Sequence, residues 1–304
     1  IKRVMDSSLL AVSHIGNIVN PGRNEDAILI SGSPRSGTTW IAESIASAIG
    51  TRRILWEPLQ EGNKSKAGYG FSKRPYLDEK NITPEQERFF YSLVSGQQAN
   101  RHLLRIRKNP YKFLSLLQNK RLVIKFVRGN GVVGHLANKF SLPKPLIIIR
   151  HPCAVVASQM DMGLWEDHPY IDNNLIQQYP HISDVVDYSG PLEERLAMTW
   201  AADVLSAKAN IQNVNIIFYE DVVSKGANSL SMVFKSWGWE EIPEKLRTVL
   251  DEPSSTTREW SNLSSSETKI GRWKKELEPR SIKKILSICN AMGVEEYDES
   301  EWPK

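Results

Sequence analysis

The chain has 304 residues, a net charge of +4 and ordinary apolar and charged fractions, which fit one large folded domain or two small ones. The basic excess is spread along the chain, so it suits an anionic small molecule and excludes a nucleic-acid-binding tract. Two cysteines, Cys153 and Cys289, are too few for a disulfide framework, and no Cys or His spacing indicates a metal site.

The N-terminus lacks an initiator Met and does not have the pattern of a signal sequence. We therefore expect residues 1–26 to be an N-terminal extension of a chain that belongs to a longer protein. No apolar run reaches membrane-spanning length, so no membrane span is expected. The low cysteine content favours a reducing, cytoplasmic compartment, with a lumenal domain as the alternative.

From residue 27 onward, short apolar runs alternate with helical patterns. Strands are predicted over residues 27–31, 54–56, 121–127, 146–149 and 215–219. Helices are predicted over residues 38–49, 84–97, 152–160 and 192–210, with Thr83 as the N-cap of the second. Residues 60–83 are predicted to form a long surface loop. This alternation predicts an α/β fold with a parallel sheet and helices on both faces, in a single domain over residues 1–304.

The first predicted strand leads into a loop that should bind an anion. Gly32 and Gly37 have the spacing of the glycines in a P-loop, in which backbone N–H groups and a helix N-terminus surround phosphate. The P-loop lysine is missing, because Thr38 occupies its position, and the nearest cation is Arg35 within the loop. A nucleoside triphosphate needs that lysine, so the loop favours a nucleotide with a less charged transferable group.

The stretch from Pro34 to Trp40 resembles the 5′-phosphosulfate loop of sulfotransferases that use 3′-phosphoadenosine 5′-phosphosulfate (PAPS). The resemblance implies a P-loop-type parallel sheet and PAPS as the donor, with no metal. It also implies that the loop residues bind the donor, namely Arg35, Ser36, Gly37, Thr38, Thr39 and Trp40.

Three later segments extend this resemblance. Arg150 ends the fourth strand and Ser158 follows eight residues later, as in the family's 3′-phosphate motif. Tyr219 resembles the strand-end Tyr that lies near the adenine. A looser match near the C-terminus implies that the donor is closed over by Lys269, Gly271 and Arg272.

The general base is open between three residues. Family members that act on glycans, and bacterial members, use a Glu at the end of the second strand, and Glu57 matches that position. Cytosolic members use a His shortly after the Lys of the third strand, a position without a His here, so the candidates are the more distant His135 and His168. Lys125, in the third strand, is expected either to contact the sulfuryl oxygens or to lie along the strand.

The acceptor is expected to be a hydroxyl. Aromatic residues and one His fall in segments that should flank the acceptor, and they suit sugar faces or acyl chains alike: Tyr69, Tyr76, Trp165, His168 and Tyr170. A glycan is favoured, and a β-hydroxyacyl chain on a carrier protein is the alternative. A P-loop kinase and a non-catalytic nucleotide-binding module are the competing functions.

Overall fold

The computed structural model describes residues 27–51, 53–60, 68–98, 121–163, 169–255 and 270–304. In this part of the chain the five predicted strands are all present and form one sheet. They are β1 (Ala27–Gly32), β2 (Ile54–Trp56), β3 (Leu122–Lys125), β4 (Leu146–Ile149) and β5 (Asn215–Phe218). Their order across the sheet is β2-β3-β1-β4-β5, and every neighbouring pair is parallel. The predicted α/β fold is therefore confirmed.

The predicted helices are present with small differences at their ends. The described helices are α1 (Thr38–Ala48), α2 (Pro84–Val94), α3 (Val133–Phe140), α4 (Pro152–Met162), α5 (Asn173–Gln178), α6 (Leu192–Lys208), α7 (Tyr219–Lys225), α8 (Ser231–Ser236), α9 (Glu244–Val249), α10 (Trp273–Glu276) and α11 (Pro279–Ala291). Thr83 caps α2 in a complete capping box with Gln86. Tyr219 begins α7 rather than ending β5, because acidic residues in the following turn favour a helix N-terminus.

Alternate residues of each strand pack on opposite faces of the sheet. Leu29, Ile124 and Ile147 belong to one buried cluster, which also contains residues of α4, α6 and α11. Ile30, Val123 and Ile148 belong to a second cluster, with residues of α1 and α9. Both faces of the sheet are thus covered, as a parallel sheet requires.

The segment between β2 and α2 differs from the predicted surface loop. Residues 68–82 contain no helix or strand, but the rings of Tyr69 and Phe71 pack on Phe89 at centroid distances of 5.0 and 5.2 Å. Tyr76 is buried as well. Aromatic rings gain more from burial than from contact with water, so they hold this segment on the core. Residues 61–67 lie outside the described residues.

Across the residues that the structure describes, no helix combines the length and apolar character needed to cross a membrane.

Candidate active site

The loop after β1 lies at the point where the chain order across the sheet reverses. β1 is flanked by β3 on one side and β4 on the other, and Gly32 pairs with Ile148 of β4. A Cβ on Gly32 would lie 2.6 Å from the Ile148 carbonyl oxygen, so only glycine allows the two backbones to approach this closely. Ligands of open α/β sheets bind at such a reversal, beyond the carboxyl ends of the strands.

The loop ends in a helix start with unused hydrogen-bond donors. Gly37 is the N-cap of α1, with a φ of 83°. Because glycine has no side chain, no side chain caps the first turn. Backbone N–H groups in the first turn of a helix have no intrahelical partner, and together with the helix dipole they bind anions. The buried Ser36 hydroxyl has no hydrogen-bond partner among the described residues. An oxyanion in the loop would satisfy both kinds of donor.

Two arginines and a serine meet beside this loop. Arg35, which has a φ of 75°, donates from Nε to Ser158 Oγ at 2.9 Å. Its carbonyl oxygen accepts from Arg150 Nη1 at 3.0 Å. The structure thus places Arg35 of the loop beside Arg150 at the end of β4 and Ser158 of α4, and their predicted contacts with a donor stay predictions. They form a second group of hydrogen-bond donors next to the first, of the kind that can bind an anion.

Tyr219 forms the wall of the site on the β5 side. Its ring lies under the Arg150 guanidinium, 4.5 Å from the ring centroid, in a cation–π contact. The same ring makes an edge contact with Trp40 at 5.8 Å, and it would lie only 2.6 Å from a Cβ on Gly37. The Trp40 indole donates to the Leu250 carbonyl. These contacts place two aromatic rings beside the loop, where a flat base could pack.

The residue after Arg150 anchors the C-terminal part of the chain. His151 is fully buried and stacks on Trp273 at 4.3 Å, and its Nε2 lies 3.0 Å from the Asp298 carbonyl oxygen. Its Nδ1 accepts from Cys153 N, so Nε2 carries the proton. Burial lowers the pKa of His151 to about 4, which keeps the ring neutral. The end of β4 is therefore packed against α10 and the residues that follow α11.

Glu220, in the first turn of α7, links the end of β4 to the C-terminal residues. One of its carboxylate oxygens accepts from the His151 backbone N–H, and the other accepts from the Tyr297 hydroxyl. Burial raises the pKa of Glu220, and the two hydrogen bonds oppose that shift.

Gly271 and Arg272 lie near glutamates of the C-terminal part of the chain rather than on the loop after β1. A Cβ on Gly271 would approach the Glu301 carboxylate to 2.6 Å, and Arg272 forms an ion pair with Glu276. Their predicted contact with the donor stays a prediction. Lys269 lies outside the described residues.

Glu57 and Lys125 form an ion pair on the β3 side of β1, whereas Arg150 lies on the β4 side. The second carboxylate oxygen of Glu57 accepts from Val127 N at 2.8 Å. Glu57 has a φ of 48°, a backbone conformation that is costly for a residue with a side chain and is often found at functional sites. Its side chain is 12% exposed and that of Lys125 is 4% exposed. Because β3 lies between β2 and β1, Lys125 stands between Glu57 and the loop.

The other candidate bases are placed differently. His135 on α3 is buried, and burial lowers its pKa. The charged groups that act on it belong to α3 itself or to residues 78–87, and none belongs to the loop after β1. His168 and Trp165 lie outside the described residues. Of the predicted acceptor-side aromatics that the structure describes, Tyr69 and Tyr170 are partly exposed and Tyr76 is buried.

Sequence reasoning missed two residues that hold the loop. Gln159 Nε2 donates to the Pro34 carbonyl at 2.9 Å, and Asp203 accepts from Ser33 Oγ at 2.7 Å. They stand 125 and 170 residues from their partners, so no local pattern could have indicated them. Within the described ranges, no group of His, Cys, Asp and Glu residues could hold a metal ion.

No protein-family model matches the chain, and no curated protein is significantly similar to it in sequence. Several solved structures match the chain weakly, and two of these are sulfotransferases. The sulfotransferase domain from the curacin biosynthetic pathway is 17% identical with a TM-score of 0.44, covering 88% of this chain and 98% of that chain. Mouse sulfotransferase SULT7A1 complexed with PAP is 16% identical with a TM-score of 0.43, covering 94% and 89%. Neither likeness is strong enough to assign this chain to a family.

Proposed function

We propose that this protein transfers a sulfuryl group from PAPS to an acceptor hydroxyl. The observation that carries the proposal is the pair of adjacent anion-binding groups at the carboxyl ends of β1 and β4. One is the uncapped loop with Ser36, and the other is formed by Arg35, Arg150 and Ser158. PAPS carries anionic groups at both its 5′ and 3′ positions, so it can occupy both at once.

The donor would lie across this crevice in one orientation. Its 5′-phosphosulfate would accept hydrogen bonds from the loop N–H groups and from Ser36, Thr38 and Thr39. Its 3′-phosphate would be bound by Arg150 and Ser158, since an arginine fork suits a phosphate. Its adenine would lie near Tyr219 and Trp40, which already pack edge to face. Lys269, Gly271 and Arg272 are proposed to complete the donor site.

The reaction would be an in-line displacement. The acceptor oxygen bonds to sulfur, while the bond from sulfur to the bridging oxygen of the 5′-phosphate breaks. Glu57 is proposed to take the acceptor proton as general base. Arg35, Lys125 and the loop N–H groups would stabilise negative charge on the sulfuryl oxygens and the leaving oxygen. Metal is not needed for any of these steps, and we propose that none takes part.

A P-loop kinase is less well supported. The loop lysine that binds β- and γ-phosphates is replaced by Thr38, and Arg35 donates from Nε toward Ser158 of α4. The loop therefore lacks the cation that β- and γ-phosphates need, and its arginine is directed to the neighbouring group instead.

A glycan is the proposed acceptor, as in carbohydrate-type and bacterial sulfotransferases, because the carboxylate at the end of β2 is the base of those members. A β-hydroxyacyl chain on a carrier protein remains the alternative acceptor. We further place this function in a single domain over residues 1–304, in a reducing, cytoplasmic compartment. Both cysteines are free and buried, and burial raises the pKa of Cys153 to about 12, which suits an unpaired structural thiol.

Turnover of labelled PAPS against a panel of glycan and carrier-bound hydroxyacyl acceptors tests the proposal. We expect label on one acceptor class without added divalent metal. Transfer of phosphate from Mg²⁺-ATP, with no transfer from PAPS, would establish the kinase instead.

A further inference from the structure

A buried polar network joins the loop after β1 to three other parts of the fold. Asp203 of α6 is 6% exposed, and its Oδ2 accepts from Ser33 Oγ at 2.7 Å. The same carboxylate pairs with Arg74 Nη1 at 2.7 and 2.9 Å. Asn130, which follows β3, donates to the Asp203 carbonyl at 3.1 Å and accepts from Ser31 Oγ at 2.6 Å. The network therefore ties α6 to the end of β1, the segment before α2 and the segment after β3.

A buried carboxylate is costly unless its oxygens are satisfied. Burial raises the pKa of Asp203, whereas Arg74 and the Ser33 hydroxyl act in the opposite direction. The ion pair with Arg74 keeps a charged acceptor in place at a fixed position under the loop. Hydrogen bonds to charged groups are stronger and more directional than neutral ones, so the Ser33 contact is well suited to fix the loop backbone.

Ser33 immediately precedes the backbone that the proposed donor would contact. The Ser33 carbonyl oxygen accepts from Ser36 N at 3.1 Å, which closes the turn, and Gln159 holds the next carbonyl at Pro34. A shift of Ser33 would move that turn, and with it the direction of the loop N–H groups. Anion binding by such a loop depends on these groups pointing at one place before the ligand arrives.

We infer that Asp203 is a positioning residue of the donor site, which acts through Ser33 to hold the loop in its anion-binding form. The inference rests on the proposed function, because the ligand used to test it is the spent donor 3′-phosphoadenosine 5′-phosphate (PAP). Asp203 itself does not touch the donor; it sets the shape of the loop that does.

Four variants test the inference: Ser33→Ala, Asp203→Asn, the double variant, and Thr51→Ala as a control. Ser33 and Thr51 are both 4% exposed, but Thr51 donates to the Arg121 carbonyl at 2.8 Å, at the end of the sheet opposite the loop. The Kd for PAP is measured by calorimetry at a temperature well below the Tm of every variant, so that loss of fold does not enter the result. Ser33→Ala keeps the Asp203–Arg74 pair and should fold even if Asp203→Asn does not.

We expect Ser33→Ala to raise the Kd about tenfold, the order expected for a lost hydrogen bond to a charged group, and Thr51→Ala to leave it unchanged. In the Asp203→Asn background the further effect of Ser33→Ala should be below about threefold, because both changes remove one contact. If the wild type binds PAP and Ser33→Ala binds it with the same Kd, the inference is overturned and the proposed function is not. The same holds if the effects of the two substitutions on the Kd multiply fully. Failure of the wild type to bind PAP overturns the proposed function and the inference with it.

Discussion

Two contacts hold the Arg150 guanidinium and a third holds the Arg150 backbone, so the side chain has little freedom. Its Nη1 donates to the Arg35 carbonyl, its plane lies over the Tyr219 ring, and its carbonyl accepts from the Trp200 indole at 3.0 Å. A side chain fixed in this way binds a phosphate without a large loss of conformational entropy on binding. The proposed 3′-phosphate contact therefore belongs to a preorganised group.

Arg150→Ala should raise the Kd for PAP roughly ten- to hundredfold, since a charge-assisted contact contributes about 1.5–3 kcal/mol. The Kd of Arg150→Lys should lie between those of the wild type and of Arg150→Ala, because a lysine keeps the charge but cannot make the two parallel hydrogen bonds of an arginine. Arg247→Ala is the matched control, as Arg247 is exposed and pairs with Glu244. Direct titration with PAP measures all three, and normal affinity in Arg150→Ala would make this residue structural.

Glu57→Gln should lower kcat by about 10²–10⁴ and leave the Kd for PAP near the wild-type value. The amide keeps the shape and can still accept from Val127 N, but it cannot take a proton. Sulfuryl transfer is measured with the acceptor identified in the panel. His135→Ala and His168→Ala serve as comparisons. Near-normal turnover in Glu57→Gln, with collapse in one His variant, would move the base to that His.

At the scale of elements, the junction of β1 and α1 depends on glycine at two places. Gly32 allows β4 to approach, and Gly37 both adopts a positive φ and makes room for Tyr219. A strand, turn and helix start are local, so the sequence pattern alone was enough to predict them.

Gly37→Ala should destabilise the protein more than Gly50→Ala does. Both glycines have a positive φ, at 83° and 74°, so each substitution carries a backbone strain of about 1–2 kcal/mol. Only the Gly37 substitution also meets a ring, at 2.6 Å from Tyr219, whereas nothing lies within 4 Å of the other. Urea unfolding compares the two, and an equal loss of stability would show that the ring moves aside without cost.

Features set by neighbouring residues could be predicted from the sequence, and features set by long-range packing could not. The N-cap Thr83 and the first helical residue Pro84 are adjacent, and the apolar run of β4 is continuous, so both elements were predicted at their observed start. Tyr69 and Tyr76 were predicted on a surface loop because their neighbours are polar, but packing of the rings decides their place. The network of Asp203 depends on segments brought together only by the sheet order, which no local pattern encodes.

At the scale of the whole molecule, the stability should depend on pH through His151. Its pKa is about 4 in the folded protein and about 6.5 when exposed, so the unfolded chain binds more protons between these values. The free energy of unfolding should therefore fall by about 3 kcal/mol as the pH falls from 6.5 through 4.

Unfolding by urea at pH 7 and pH 4.5 measures this effect in the wild type and in His151→Asn. The variant keeps a side-chain acceptor for Cys153 N and removes the titrating ring. Its loss of stability at pH 4.5 should be smaller than that of the wild type. Equal losses would assign the acid sensitivity to other groups, such as His135, whose pKa burial also lowers.

The central claim is that one crevice binds a nucleotide through two separate anionic groups. Its most direct measurement is the binding of PAP compared with ATP and with adenosine 5′-phosphosulfate, which lacks the 3′-phosphate, in the absence of divalent metal. A ligand at a hundredfold excess over its Kd stabilises the native state by about 2.7 kcal/mol, so a thermal shift is sensitive enough. We predict a large shift with PAP and small shifts with the other two. Equal shifts with all three nucleotides, or a shift that requires Mg²⁺, would contradict the account.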